Sequence, residues 1–123
     1  MKNKTIFALS TAPGLAGIAV IRSSGPSSLK VLQKMTGKKK FKPRYSYYGP
    51  MFSESLKFFL DKGIYIWFPG PKSYTGEDMF ELHLHGGRAV SESMLNYLSK
   101  QKDFRFAQPG EFTRRAFIND KLS

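Results

Sequence analysis

The sequence predicts an α+β fold: a mixed, mainly antiparallel sheet of about five to six strands with two to three helices. Three observations predict it. Short runs that alternate apolar and polar residues, or that concentrate β-branched and aromatic ones, outnumber runs with helical spacing. The helical runs fall between strands without the strict alternation of a parallel α/β sheet. No repeat or low-complexity tract divides the 123 residues, a length that suits a single domain, 1–123, with one packed core.

Residues 4–10 alternate as an edge-compatible strand does, and residues 18–22 form a second, β-branched strand after a glycine-rich loop at 11–17. Leu29, Leu32 and Met35 then recur at helical spacing. Pro26 suits the first turn of that helix and Gly37 the position just past its end. The charge run Lys38-Lys39-Lys40-Phe41-Lys42-Pro43-Arg44 reads as an exposed basic connection. Residues 45–51, 56–60 and 63–68 read as three strands of a meander, with Asp61-Lys62-Gly63 as the second turn. Residues 69–76 are too rich in proline and glycine for regular structure, and residues 78–85 alternate again as a strand. Val90, Met94, Tyr97 and Leu98 mark the clearest helix, over 88–102. A short strand at 104–107 and a last helix at 112–118, after the Pro109-Gly110 turn, complete the order.

Composition narrows the functional classes. Twenty basic residues against nine acidic give a net charge of +11, a field that draws polyanions such as RNA. There is no cysteine, hence no disulfide, thiolate metal site or cysteine nucleophile. No stretch has the length of a membrane span or of a signal peptide, so the chain is read as soluble and cytoplasmic. Thr36-Gly37-Lys38 is not the end of a phosphate loop: Leu32 stands where the motif needs glycine, and Lys39 where it needs a hydroxyl.

On the strand at 78–85, alternation puts Glu81, His83 and His85 on one face and Phe80, Leu82 and Leu84 on the other. Two histidines with a carboxylate could ligate a metal, although hydrogen-bonded histidines explain the spacing as well, and no metal site is assigned. A strand carboxylate such as Glu81 needs a donor to offset its desolvation. Arg22 is a candidate, either as an ion pair stitching two strands or as part of a site where the carboxylate takes paired N–H donors from a planar heterocycle. The basic residues around 111–115 read as a solvated helix face.

Residues 11–25 (TAPGLAGIAVIRSSG), 68–87 (FPGPKSYTGEDMFELHLHGG) and 108–122 (QPGEFTRRAFINDKL) together resemble the N-terminal domain of the MnmE (TrmE) family of tRNA-modifying GTPases. The likeness runs in order through nearly the whole chain. It implies a fold like the folate-binding domain of glycine-cleavage aminomethyltransferases, a tetrahydrofolate derivative of the 5-formyl or 5,10-methylene type as cofactor, and homodimerisation. The family's folate contacts fall on Arg22, Glu81 and Lys121 in this sequence, and no catalytic residue is assigned. The resemblance departs at Leu15 and Ala16, which replace an arginine and a glycine of the family's glycine loop. With an MnmG-type flavoprotein, the family installs 5-carboxymethylaminomethyluridine-type modifications at the tRNA wobble uridine. The family's helical and GTPase domains have no counterpart in these residues, so the domain is expected to turn over nothing alone. A basic RNA-binding module without folate, and a metal-assisted enzyme using His83 and His85, are the rival expectations.

Overall fold

The computed structural model describes residues 4–10, 17–53, 56–85 and 87–120. The strands are β1 (Thr5–Leu9), β2 (Ala19–Ser24), β3 (Tyr47–Ser53), β4 (Phe58–Phe68), β5 (Met79–Leu84) and β6 (Phe104–Phe106). The helices are α1 (Ser28–Thr36), α2 (Gly87–Ser99) and α3 (Glu111–Ile118). The six strands form one sheet in the order β3-β4-β5-β2-β1-β6, antiparallel throughout except for the parallel β1–β6 pair. This is the expected mixed α+β architecture.

One face of the sheet carries the main core. Phe7, Ile21, Phe80, Leu82, Leu84, Tyr65 and Trp67 alternate toward it and pack with Leu32, Met35, Met94 and Leu98 from α1 and α2. Helical periodicity explains why these positions close on the sheet while Lys30, Lys34 and Glu92 stay outside. Gly37 ends α1 in the left-handed conformation, φ 75°, and its N–H reaches the Gln33 carbonyl at 2.9 Å, a position where a Cβ would be strained. Pro26 lies in the turn before the helix, not in its first turn.

The opposite face is built by the alternate residues: Ile6 and Ala8, Arg22 and Ser24, Met79, Glu81 and His83, Ile64 and Ile66, with Arg105 beside Ile6. At the β1 end α3 covers it, which is why β1 is buried on both sides: Thr5, Ile6 and Phe7 are all fully inaccessible. β1 is therefore not an edge strand, because the three residues of β6 add outside it.

Three further expectations are corrected. Residues 56–60 and 63–68 are not two strands of a meander but one strand of 11 residues. Asp61-Lys62-Gly63 has turn composition, yet Gly63 sits mid-strand, where a Cβ would collide with the His83 carbonyl; the glycine answers a close backbone approach, not a turn. β2 runs two residues beyond Arg22, which places that residue inside the ladder. β5 stops at Leu84, one residue short of the expected span, so His85 lies just past the strand, its N–H bonded to Asp61 Oδ2 at 2.8 Å.

Candidate functional site

Arg22 and Glu81 are direct cross-strand partners in the β2–β5 ladder. Arg22 Nε donates to Glu81 Oε2 at 2.8 Å, and Glu81 Oε1 lies 2.7 Å from His83 Nε2, one pleat along the same face. Burial pushes the Glu81 carboxyl up, but the hydrogen bonds from His83 and Arg22 outweigh it and hold the group below its ordinary value. Glu81 is thus an anion in a half-covered site. A carboxylate offers about four lone-pair sites, and the described partners occupy one on each oxygen. The terminal nitrogens of Arg22 make no hydrogen bond to a described residue, and its side chain is 47% exposed.

Two adjoining hollows open over this floor. One, of about 460 Å³, lies between Ala8 and Arg22 on the sheet and Gln108 to Thr113 at the start of α3. The other, of about 230 Å³, lies over Arg22, Glu81, Met79 and Phe68. Tyr74 borders both. Its hydroxyl lies 3.2 Å from Thr113 Oγ1, joining the 70–78 loop to α3 across the cleft. The site therefore combines a carboxylate, a cation whose terminal donors no described residue takes, and an aromatic wall, elements suited to a planar heterocycle with an acidic group.

The walls are held by a buried ionic network. Arg105 forks onto Glu111 at 2.8 and 2.6 Å, and the Gln108 N–H adds a third bond at 2.9 Å. Arg115 donates to Glu111 at 3.2 Å, to Glu77 at 3.0 Å, and to the Ser24 and Lys4 carbonyls at 3.2 and 2.9 Å. Glu77 in turn accepts from Ser24 Oγ at 2.6 Å, and Asn119 Nδ2 donates to the Thr75 carbonyl at 2.9 Å. This corrects the expectation of a solvated face at 111–115: Glu111 and Arg115 are only 3% and 8% exposed. Sequence reasoning missed the network and Tyr74, although the i, i+4 spacing of Glu111 and Arg115 was a usable signal.

The hydrogen bonds from Arg105 are the main cause that brings the Glu111 carboxyl from 4.5 to about 2; burial opposes them, and Gln108 and Arg115 assist. A depressed carboxylate stabilises the fold fully above its unfolded value and loses that contribution as pH falls through its folded value. Glu111 is therefore expected to contribute on the order of 3 kcal/mol above about pH 4.5, fading toward pH 2. Denaturant unfolding of the wild type and Glu111→Gln checks this: their stability gap should shrink in acid, and a gap independent of pH would refute it.

Lys121, Leu15 and Ala16 lie outside the described residues. Among the described residues no group of three His, Asp or Glu side chains could hold a metal, and no helix is long and apolar enough to cross a membrane.

The family described as GTP-binding protein TrmE N-terminus matches residues 5–121. The chain belongs to that family. Over 119 residues it is 51% identical to the tRNA modification GTPase MnmE of Rickettsia akari, 49% to that of Rickettsia typhi and 52% to that of Parvibaculum lavamentivorans. In each case the match covers 97% of this chain and 27% of the relative. As a TrmE N-terminus, the chain thus spans about a quarter of the length of the curated relatives it matches.

Proposed function

We propose that the cleft over Arg22 and Glu81 binds a reduced folate, as the N-terminal part of a tRNA-modifying system in which this domain pairs with its own copy. The observation that carries the reading is the Arg22–Glu81 pair, braced by His83, on a sheet face that opens into a cleft: Arg22 is 47% and Glu81 17% exposed, so the pair is not sealed as an internal strand stitch. The donor set fits the cofactor. Glu81, held as an anion, has lone pairs to accept the side-by-side amino and ring N–H groups of a pterin. Arg22 orients Glu81 through Nε and keeps its terminal donors for an acidic group, while Tyr74 and Phe68 supply apolar and stacking surface. Lys121 is the proposed contact for the glutamyl tail, on the family resemblance. Bound there, the 5-formyl or 5,10-methylene carrier would supply the one-carbon unit for wobble-uridine modification, with an MnmG-type flavoprotein, tRNA and the GTPase as partners. Cytoplasmic placement belongs to the same proposal. Leu9 and Ile18, both 42% exposed at the adjoining ends of β1 and β2, are apolar surface consistent with self-pairing.

Titration of 5-formyltetrahydrofolate into the domain, with sedimentation in its presence and absence, tests the proposal. Glu81→Gln keeps the shape of the side chain and removes the charge. Losing a charge-assisted bond of at least about 1.5 kcal/mol should weaken binding roughly tenfold or more. An affinity within about twofold of wild type would refute the assignment of Glu81, and a monomer at all concentrations would refute self-pairing.

A further inference from the structure

The connection between α1 and β3 has a feature that folate binding does not use. Five of the seven residues from Lys38 to Arg44 are cations, and all five are exposed. Elsewhere in the domain five described acidic side chains pair with basic ones: Glu77 with Arg115, Glu81 with Arg22, Glu92 with Arg88, Asp103 with Lys4, and Glu111 with Arg105 and Arg115. Among the described residues no carboxylate forms an ion pair with Lys38, Lys39, Lys40, Lys42 or Arg44, nor with Lys62 on the neighbouring strand.

The segment is also fixed in shape. Gln33 Nε2 donates to the Lys39 carbonyl at 2.8 Å, the Tyr47 hydroxyl accepts the Lys42 N–H at 2.7 Å, and the Arg44 N–H reaches the Trp67 carbonyl at 2.8 Å. Arg44 itself adopts φ 59°, a left-handed turn. Lys38 Nζ stands 4.3 Å above the Tyr47 ring and Lys42 Nζ 5.6 Å above Tyr45. Repelling cations are thus held side by side next to Tyr45, which is 50% exposed. A merely solvated lysine run needs neither a pinned backbone nor aromatic neighbours; a surface for a phosphate backbone with unpaired bases uses both, since phosphates meet the cations and bases stack on the rings.

We infer that the ridge formed by Lys38, Lys39, Lys40, Lys42 and Arg44, flanked by Tyr45, is an RNA-binding surface that engages the backbone of a single-stranded or loop segment. It lies at the β3 edge of the sheet, whereas the folate cleft lies over β2 and β5, and the two are separable by experiment.

The test is the salt dependence of binding to a short RNA hairpin with an unpaired loop, for the wild type and for the triple variant Lys39→Gln, Lys40→Gln, Lys42→Gln. Removing three phosphate contacts should flatten the slope of log affinity against log salt by about two to three, and weaken binding roughly tenfold to hundredfold at low salt. Tyr45→Ala should weaken binding to the hairpin severalfold and leave a fully paired duplex unaffected. Folate affinity of both variants should equal that of wild type, so that loss of folate binding in the wild type and loss of RNA binding in the variants report on different proposals. An unchanged slope in the triple variant would overturn the inference. So would binding of the wild type to phosphatidylserine vesicles as tight as to the hairpin, with none to phosphatidylcholine vesicles, which would mark a general polyanion surface.

Discussion

Arg115→Met is expected to destabilise the domain by about 3–5 kcal/mol, although the residue contributes nothing to the floor of the cleft. Methionine matches much of the buried stem but cannot replace four donations. The Ser24 and Lys4 carbonyls and the Glu77 carboxylate each lose a partner at 3.2 Å or less, and Glu111 keeps, among the described residues, Arg105, Arg114 and the Gln108 N–H. Buried acceptors left unpaired carry the full cost of desolvation, which is larger than the net worth of the bonds when made. Arg115→Lys should recover little of this, because a point charge with one nitrogen cannot span Lys4, Ser24 and Glu77 together. Urea unfolding with an unchanged m-value is the measurement. A loss under about 1 kcal/mol would mean that water reaches the network and replaces the guanidinium. Because Arg115 ties β1, β2, the 70–78 loop and α3 together, whatever folded variant survives should also bind folate more weakly.

Gly63→Ala is expected to cost about 4 kcal/mol, above the usual ~1–3 for overpacking. In most cores an added methyl is met by a side chain that can turn aside. Here it meets the His83 carbonyl oxygen, with the His83 carbonyl carbon at 3.3 Å and Met51 Cε at 3.4 Å behind it. A ladder carbonyl has no alternative rotamer, so β4 and β5 must part where Ile64 pairs with His83. The displacement reaches the candidate site directly, since His83 is the second donor to Glu81. The variant should therefore show loss of stability and weakened folate binding together, whereas Met51→Ala, which removes the other nearby group, should affect stability alone. Wild-type stability in Gly63→Ala would show that the strands can separate freely and would refute the close-approach account of this glycine.

Much of this architecture was legible in the sequence because its signals are local. Gly37 announced the end of α1, the alternation from Phe80 to Leu84 announced which face of β5 feeds the core, and the spacing of Met94, Tyr97 and Leu98 announced α2. The pairing of Arg22 with Glu81 was foreseen as one of two readings, and the ladder supplies it. What local signals could not convey was any contact decided from far along the chain. Asp61-Lys62-Gly63 looked like a turn because the reason for its glycine is a carbonyl 20 residues away. Arg115 looked solvated because its partners Lys4, Ser24 and Glu77 come from three other segments, and Glu111 because the Arg105 fork reaches it from β6. Tyr74 had no local mark at all; its place depends on Thr113 and on the loop that carries it.

The parallel pairing of β1 with β6 sets an order on how the chain can mature during synthesis. Ile6 lies beside Arg105, and the Lys4 carbonyl waits for Arg115, 111 residues later. An emerging chain can form the β3–β4 hairpin early, from neighbours in sequence, but its first strand keeps one edge unpaired until β6 has left the ribosome, and the Lys4 carbonyl without Arg115 until α3 follows. Until then Thr5, Ile6 and Phe7, wholly inaccessible in the finished domain, remain a sticky β-rich segment open to the wrong partner. The closing of the sheet by its most distant residues makes the cleft a late product of folding, available only to a domain that has been translated through α3.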